Sequence, residues 1–346
     1  MNLTRRPFLN FHAARQKEEQ NSDKNTENWI GGSLSPNLQP PTPPVYPDNN
    51  EPFATCRIGY YLLLGQQEGS TFYRCIHIQT QEEFICKIIS RDKYEKYVAG
   101  YFRLDGHPQI NQIEEILVGL NRTYIFFSRS FEDLHSYVRS KRRLKEQEAI
   151  PLFNQVVKAV QACHEAGVVL RDLKLRKFVF KDNERTQLKL ETLDDAVVLD
   201  EGSSDQLSDR HGCPAYVSPE ILTPTESYSG KAADCWSLGV MLYTLLVGRY
   251  PFHDSNHTSL IGKIRRGKFT IPDSLSSQAK CLIRNLLRKD PAERITVEEV
   301  LEHPWFRLSF RKGRASFDNC NDEARVPELV FDVEKPSDSF FFLEPL

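Results

Sequence analysis

A chain of 346 residues with 45 Lys and Arg against 47 Asp and Glu carries a formal net charge of −2, which excludes bulk charge-driven adsorption to nucleic acid or to an anionic membrane. Apolar residues at 40% and charged ones at 27% match an ordinary globular chain, and no apolar run approaches the roughly 20 residues that span a bilayer. The segment from Met1 to Phe8 has no apolar signal core, so the eight cysteines, none in a close Cys-x-x-Cys pair, are expected as reduced thiols.

Residues 1–56 are polar, with six prolines between 36 and 47. Such a composition cannot build a core and predicts a disordered region, a linker or a docking strand for a proline-reading groove. Order is expected over 57–306. Residues 58–64, 71–78 and 84–89 read as antiparallel strands, continued by 110–118 and 123–127 across a turn at Gly119. After Phe131 the period changes. Ile150, Phe153, Val157, Val160 and His164 recur at helical spacing and stop at Gly167. Further helices are predicted at 231–247, 257–266, 277–288 and 296–302. The pattern is α+β, a two-lobed arrangement with a small β-rich lobe before a larger helical one. Residues 307–346 form a tail.

Several motifs share the spacing of a protein kinase. Leu170-Arg171-Asp172-Leu173-Lys174 matches the catalytic loop, Ser218-Pro219-Glu220 the end of the activation segment, and Asp234 to Gly239 the start of the large C-lobe helix. In that frame the metal-binding Asp-Phe-Gly falls on Thr192-Leu193-Asp194. A neutral hydroxyl at Thr192 is a poor magnesium ligand, because hard cations take carboxylate and phosphate oxygens. The second metal ligand, normally an asparagine, falls on Lys177, whose cation repels a metal ion. Of the phosphate-loop glycines only Gly65 is in place; Gln67 and Ser70 take the other two positions, Gly69 is displaced by one, and Glu68 adds a negative charge. Lys87 matches the nucleotide lysine. Between Lys96 and Ile113 the only acidic residue is Asp105, so a short or distorted helix is expected, with Lys87 lacking its usual ion pair. Lys87 is then either a solvated lysine on an edge strand or a residual phosphate contact. Asp172 and Lys174 keep the base and phosphate-contact residue types.

Phosphoryl transfer rests on positioning and charge neutralisation, so losing the metal carboxylate removes its main support. The scaffold residues survive: Glu220 can pair with Arg294, and Asp234 can hold the catalytic-loop backbone. The expectation is a non-enzyme, with Lys87, Asp172 and Lys174 vestigial, no metal, no cofactor and weak or absent ATP binding. The competing reading is a weak, metal-independent serine/threonine kinase using those three residues.

The stretch from Leu170 to Phe178, that from His211 to Glu220 and that from Gly248 to Asp254 resemble the Tribbles pseudokinases, and the likeness covers about residues 58–346. The resemblance implies an adaptor. Its tail motif, here Asp322, Glu323, Val326, Pro327 and Glu328, would bind a RING-type E3 ubiquitin ligase with a WD40 propeller, the Val-Pro pair entering a pocket and the acids facing a basic rim. Ala324-Arg325 departs from the family pattern. His303, Pro304, Trp305 and Phe306 match a segment that engages MAP kinase kinases, although the same four residues close many kinase domains as packing. The resemblance further implies recruitment of CCAAT/enhancer-binding-type transcription factors, restraint of Akt and MAP kinase signalling, residence in nucleus and cytoplasm, and no direct nucleic-acid or membrane partner. The basic run 139–145 reads either as an import signal or as a solvated loop between helices.

Overall fold

The computed structural model describes residues 56–66, 71–223 and 226–308. The expectations for residues 1–55, for Gln67 to Ser70 of the glycine loop and for the whole tail motif therefore lie outside the described residues.

Six antiparallel strands form the first lobe: β1 (Cys56–Ile58), β2 (Tyr61–Gln66), β3 (Phe72–His77), β4 (Glu83–Ser90), β5 (Ile113–Val118) and β6 (Arg122–Ser128). Their order is β1-β2-β3-β4-β6-β5. Alternation along the strands divides the apolar residues between two clusters. On one face Tyr61 stacks on Phe126 with ring centroids 3.7 Å apart, beside Cys75 and Cys86. On the other, Phe72, Ile85, Ile125 and Phe127 join a core that runs on into the helical lobe. Strand β5 starts three residues later than the sequence pattern implies. Ile110 instead bridges Leu190, and the Asn111 amide donates to the Leu190 carbonyl at 2.9 Å, so this stretch ties the lobes together.

Between β4 and β5 lies helix α1 (Tyr94–Arg103), ten residues long and regular. The short or distorted helix expected here is not what forms. Val98, Gly100 and Tyr101 are buried, and a Cβ on Gly100 would lie 3.2 Å from Leu193 Cδ1. Close packing against residues 192–194 thus holds the helix, in place of the missing glutamate.

The second lobe is built on α2 (Leu134–Lys141), α3 (Glu146–Glu165) and α4 (Gly230–Val247). Helix α4 is buried along nearly its whole length, as a helix apolar on all sides must be. It stops at Gly248, which adopts φ +80 in the left-handed region; a Cβ there would lie 2.2 Å from the Arg142 carbonyl oxygen. Helices α5 (His257–Arg266), α6 (Ser277–Leu286) and α7 (Val297–Glu302) complete the lobe. Among the described residues no helix is long and apolar enough to cross a membrane.

Candidate functional site

The cleft between the lobes is lined by charges that face one another. Lys87 lies on β4, an interior strand between β3 and β6, and its side chain is 12% exposed. Its ammonium forms an ion pair with Asp194 and donates to Thr71 Oγ1 at 2.5 Å. This corrects one of the two readings of Lys87, because the strand is not an edge; Lys87 also has an ion-pair partner, though not the usual glutamate of the following helix. That partner occupies the place of the kinase glycine. Asp194 also accepts hydrogen bonds from Tyr97 Oη at 2.7 Å and from the Thr192 hydroxyl. The Asp194 amide in turn donates to Thr192 Oγ1 at 3.1 Å, and the Leu193 amide donates to Tyr101 Oη at 3.0 Å. Leu193 is buried. Residues 192–194 are therefore turned inward and fastened to α1.

A second group of charges surrounds the catalytic-loop position. Asp172 is buried; its Oδ2 lies 2.6 Å from Lys174 Nζ and 3.6 Å from Lys177 Nζ, while Oδ1 accepts from the Cys213 amide at 3.0 Å. Burial pushes the Asp172 carboxyl up, but Lys177 and Lys174 outweigh it and hold the group below its ordinary value. Lys177 donates to Asp195 Oδ2 at 2.6 Å, and His211 Nε2 stands 3.0 Å from Asp195 Oδ1. Burial again acts upward on Asp195, yet the His211 hydrogen bond and Lys177 keep it far below the carboxylate range. Arg171, at φ +61, donates through Nε to the Asp195 carbonyl at 2.7 Å and pairs with Asp209. Among the described residues no group of three or more His, Cys, Asp or Glu side chains is arranged to hold a metal ion.

The scaffold residues sit beneath this cleft. Asp234, 1% exposed, accepts from the Leu170 and Arg171 amides and meets His164 Nε2, each at 2.9 Å. It fixes the backbone that carries Asp172. Arg294 forms a two-pronged pair with Glu220 at 2.6 and 3.0 Å, donates to the Ala232 and Arg288 carbonyls, and lies 5.2 Å over the Trp236 ring. Of the His-Pro-Trp-Phe segment, Trp305 is fully buried, donating from Nε1 to Glu146 at 2.9 Å and packing on Phe153. His303 caps the Trp305 amide and Phe306 stacks on Phe153, which leaves Pro304 as the exposed member. Asp322, Glu323, Val326, Pro327 and Glu328 are outside the described residues.

Two cleft residues escape sequence reasoning. Lys189 is 4% exposed and donates to Asn111 Oδ1 at 2.9 Å and to the Ser128 hydroxyl and carbonyl. Burial lowers its pKa to about 8. Glu191, two residues on, is pushed up to about 7, again by burial. The alternation Leu188-Lys189-Leu190-Glu191 reads as a half-exposed strand. The signal that separates it from one, the polar Asn111 and Ser128 waiting on other elements, is not local.

The sequence profile of the protein kinase domain matches residues 61–306. Tribbles homolog 2 of Mus musculus is 53% identical over 311 residues, 89% of each chain. Tribbles homolog 1 of Homo sapiens is 51% identical over 80% of this chain and 74% of its own, and Tribbles homolog 3 of Mus musculus 52% identical over 79% and 77%. The near-equal identities do not single out one of the three homologs. Similarity of this extent over a matched kinase domain means that the chain belongs to the Tribbles pseudokinase family.

Proposed function

We propose that the chain is a non-catalytic adaptor that holds client proteins on its kinase-like domain and brings an E3 ubiquitin ligase to them through its tail. The observation that carries this reading is the internal pairing of the cleft: Lys87 with Asp194, Lys174 with Asp172, and Lys177 with Asp195. In an active kinase the lysines at positions 87 and 174 face phosphate, the aspartate at 172 takes the substrate proton, and position 177 holds a metal-binding asparagine. Here ammonium groups neutralise the carboxylates, and the Thr192 hydroxyl is engaged with Asp194. The residues present do not fit a magnesium–triphosphate. The competing reading, weak metal-independent phosphoryl transfer, needs Lys87 free for a phosphate and Asp172 free to accept a proton, and both are engaged.

The tail supplies the second half. Asp322, Glu323, Val326, Pro327 and Glu328 offer a proline-stiffened apolar anchor with flanking acids, a chemistry suited to a WD40 propeller with a basic rim. Tethering ligase and client on one chain raises their effective concentration. CCAAT/enhancer-binding-type transcription factors, MAP kinase kinases and Akt are the proposed clients, met in nucleus and cytoplasm. The test is a fluorescence-polarisation titration of peptide 318–332 against the ligase propeller, paired with capture of clients by the full chain. Replacing Val326 and Pro327 with alanine should abolish propeller binding and leave client capture unchanged. Equal binding by both peptides, or by neither, would overturn the hook.

A further inference from the structure

The cations between α2 and α3 form a fixed ledge rather than a loose loop. Helix α2 continues to Lys141, so Arg139 and Lys141 project from helical backbone. Arg142 then turns the chain in the left-handed region at φ 67, and its carbonyl is closed in by the backbone of Gly248. Two residues later Leu144 is buried, and its amide donates to the Leu245 carbonyl of α4 at 2.8 Å. The run is thus pinned at both ends to the most buried helix of the lobe. A non-glycine residue at positive φ costs free energy that the surrounding structure must supply.

Lys141 pairs with Glu148, but three other cations of this ledge meet no carboxylate among the described residues. Arg142, Arg143 and Lys145 are exposed, and their side chains form no ion pair among the described residues. The adjoining carboxylates are engaged elsewhere: Glu146 binds Ser276 and Trp305, and Glu148 binds Tyr137 and Lys141. Exposed Arg249 follows Gly248 directly and adds a cation from a separate element. A chain of net charge −2 has carboxylates to spare, so a patch left unbalanced on rigid backbone points to an anionic partner.

We propose that the ledge formed by Arg142, Arg143, Lys145 and Arg249 docks an acidic peptide segment of a partner protein. The cations come from the end of one helix, the start of the next and the end of a third. Such spread positions suit a run of several carboxylates, where a single phosphate would want them convergent. A membrane is disfavoured because, among the described residues, the exposed large apolar side chains, Tyr60, Ile78, Phe102, Val118 and Leu120, all lie on the other lobe. Single-stranded nucleic acid is disfavoured because, among the described residues, no exposed aromatic ring adjoins the ledge to stack a base. An importin-type reader needs the run extended, and here it is half helical and pinned, which turns the import reading of residues 139–145 into a docking one.

The test uses the full chain and a fluorescein-labelled dodecapeptide of four Asp-Glu-Gly repeats, read by anisotropy at low and physiological salt. Arg143→Glu with Lys145→Glu should weaken binding at least tenfold. Arg265→Glu with Arg266→Glu, the same charge change at the end of α5, should weaken it less than threefold. Wild-type affinity should fall steeply with salt. Each variant is checked by its melting curve, and Arg143→Gln with Lys145→Gln replaces any that does not melt cooperatively. No binding by the wild type, or equal losses in the two charge-swapped variants, would overturn the proposal. Ledge-dependent binding of phosphatidylserine vesicles or of a 20-nucleotide DNA strand, without peptide binding, would overturn it in favour of those partners.

Discussion

Arg294→Ala measures how much the helical lobe depends on one buried cation. The Arg294 side chain has no solvent exposure and that of Glu220 only 9%, and the guanidinium serves both Glu220 oxygens and the Ala232 and Arg288 carbonyls. Truncation leaves a carboxylate and two carbonyls without these donors inside the protein. Removing one member of a buried pair costs roughly 3–5 kcal/mol. For a domain of this size ~1 kcal/mol moves the melting temperature by about 2–4 °C, so the drop should be roughly 6–20 °C. Arg294→Lys keeps the charge but not the fork and should fall between. The Arg185–Glu132 pair, with side chains 50% and 31% exposed, serves as the comparison; breaking it should cost under about 1 kcal/mol. Melting followed by circular dichroism suffices. A shift for Arg294→Ala no larger than that of Arg185→Ala would refute the reasoning.

Three further outcomes follow from the same geometry. The raised Glu191 pKa, about 7, means that the folded chain tolerates its carboxylate poorly above pH 7, with the cost fading as pH falls towards the ordinary value of 4.5. Glu191→Gln should therefore stabilise at pH 8, by up to about 3 kcal/mol, with the gain shrinking at pH 5 and gone near pH 4; a gain independent of pH would contradict the assignment. Asp194→Ala frees Lys87, so metal-free ATP should raise its melting temperature more than that of the wild type, and an unchanged response would mean that Asp194 does not guard the lysine. Trp305→Ala should cost roughly 3–5 kcal/mol while exposed Pro304→Ala leaves melting unchanged, and the reverse order would mean that the segment is not packed as described.

What could be read from the sequence followed from spacing that local physics enforces. Glu220, Asp234 and Arg294 are legible because each has a defined partner in any chain with this lobe, and they meet those partners here. The helical period over 150–164 and the stop at Gly167 likewise anticipate α3. The Lys87–Asp194 pair is not legible, because its members lie 107 positions apart and Asp194 stands where a kinase has glycine. The regular form of α1 is missed for the same reason: its support is Leu193 and Asp194, not an acid of its own. Lys189 looks exposed because alternation records only one strand, and the groups that bury it come from residues 111 and 128.

The most direct test of the central claim, that side-chain ammonium groups have taken over the charge balance of the cleft, is a thermal-shift titration of the full chain with ATP in the presence and absence of magnesium, run beside a phosphate-transfer assay. The account predicts an ATP response that magnesium does not increase, and no transfer. A clear magnesium-dependent gain in melting temperature, with phosphate transfer that Asp172→Asn abolishes, would contradict it.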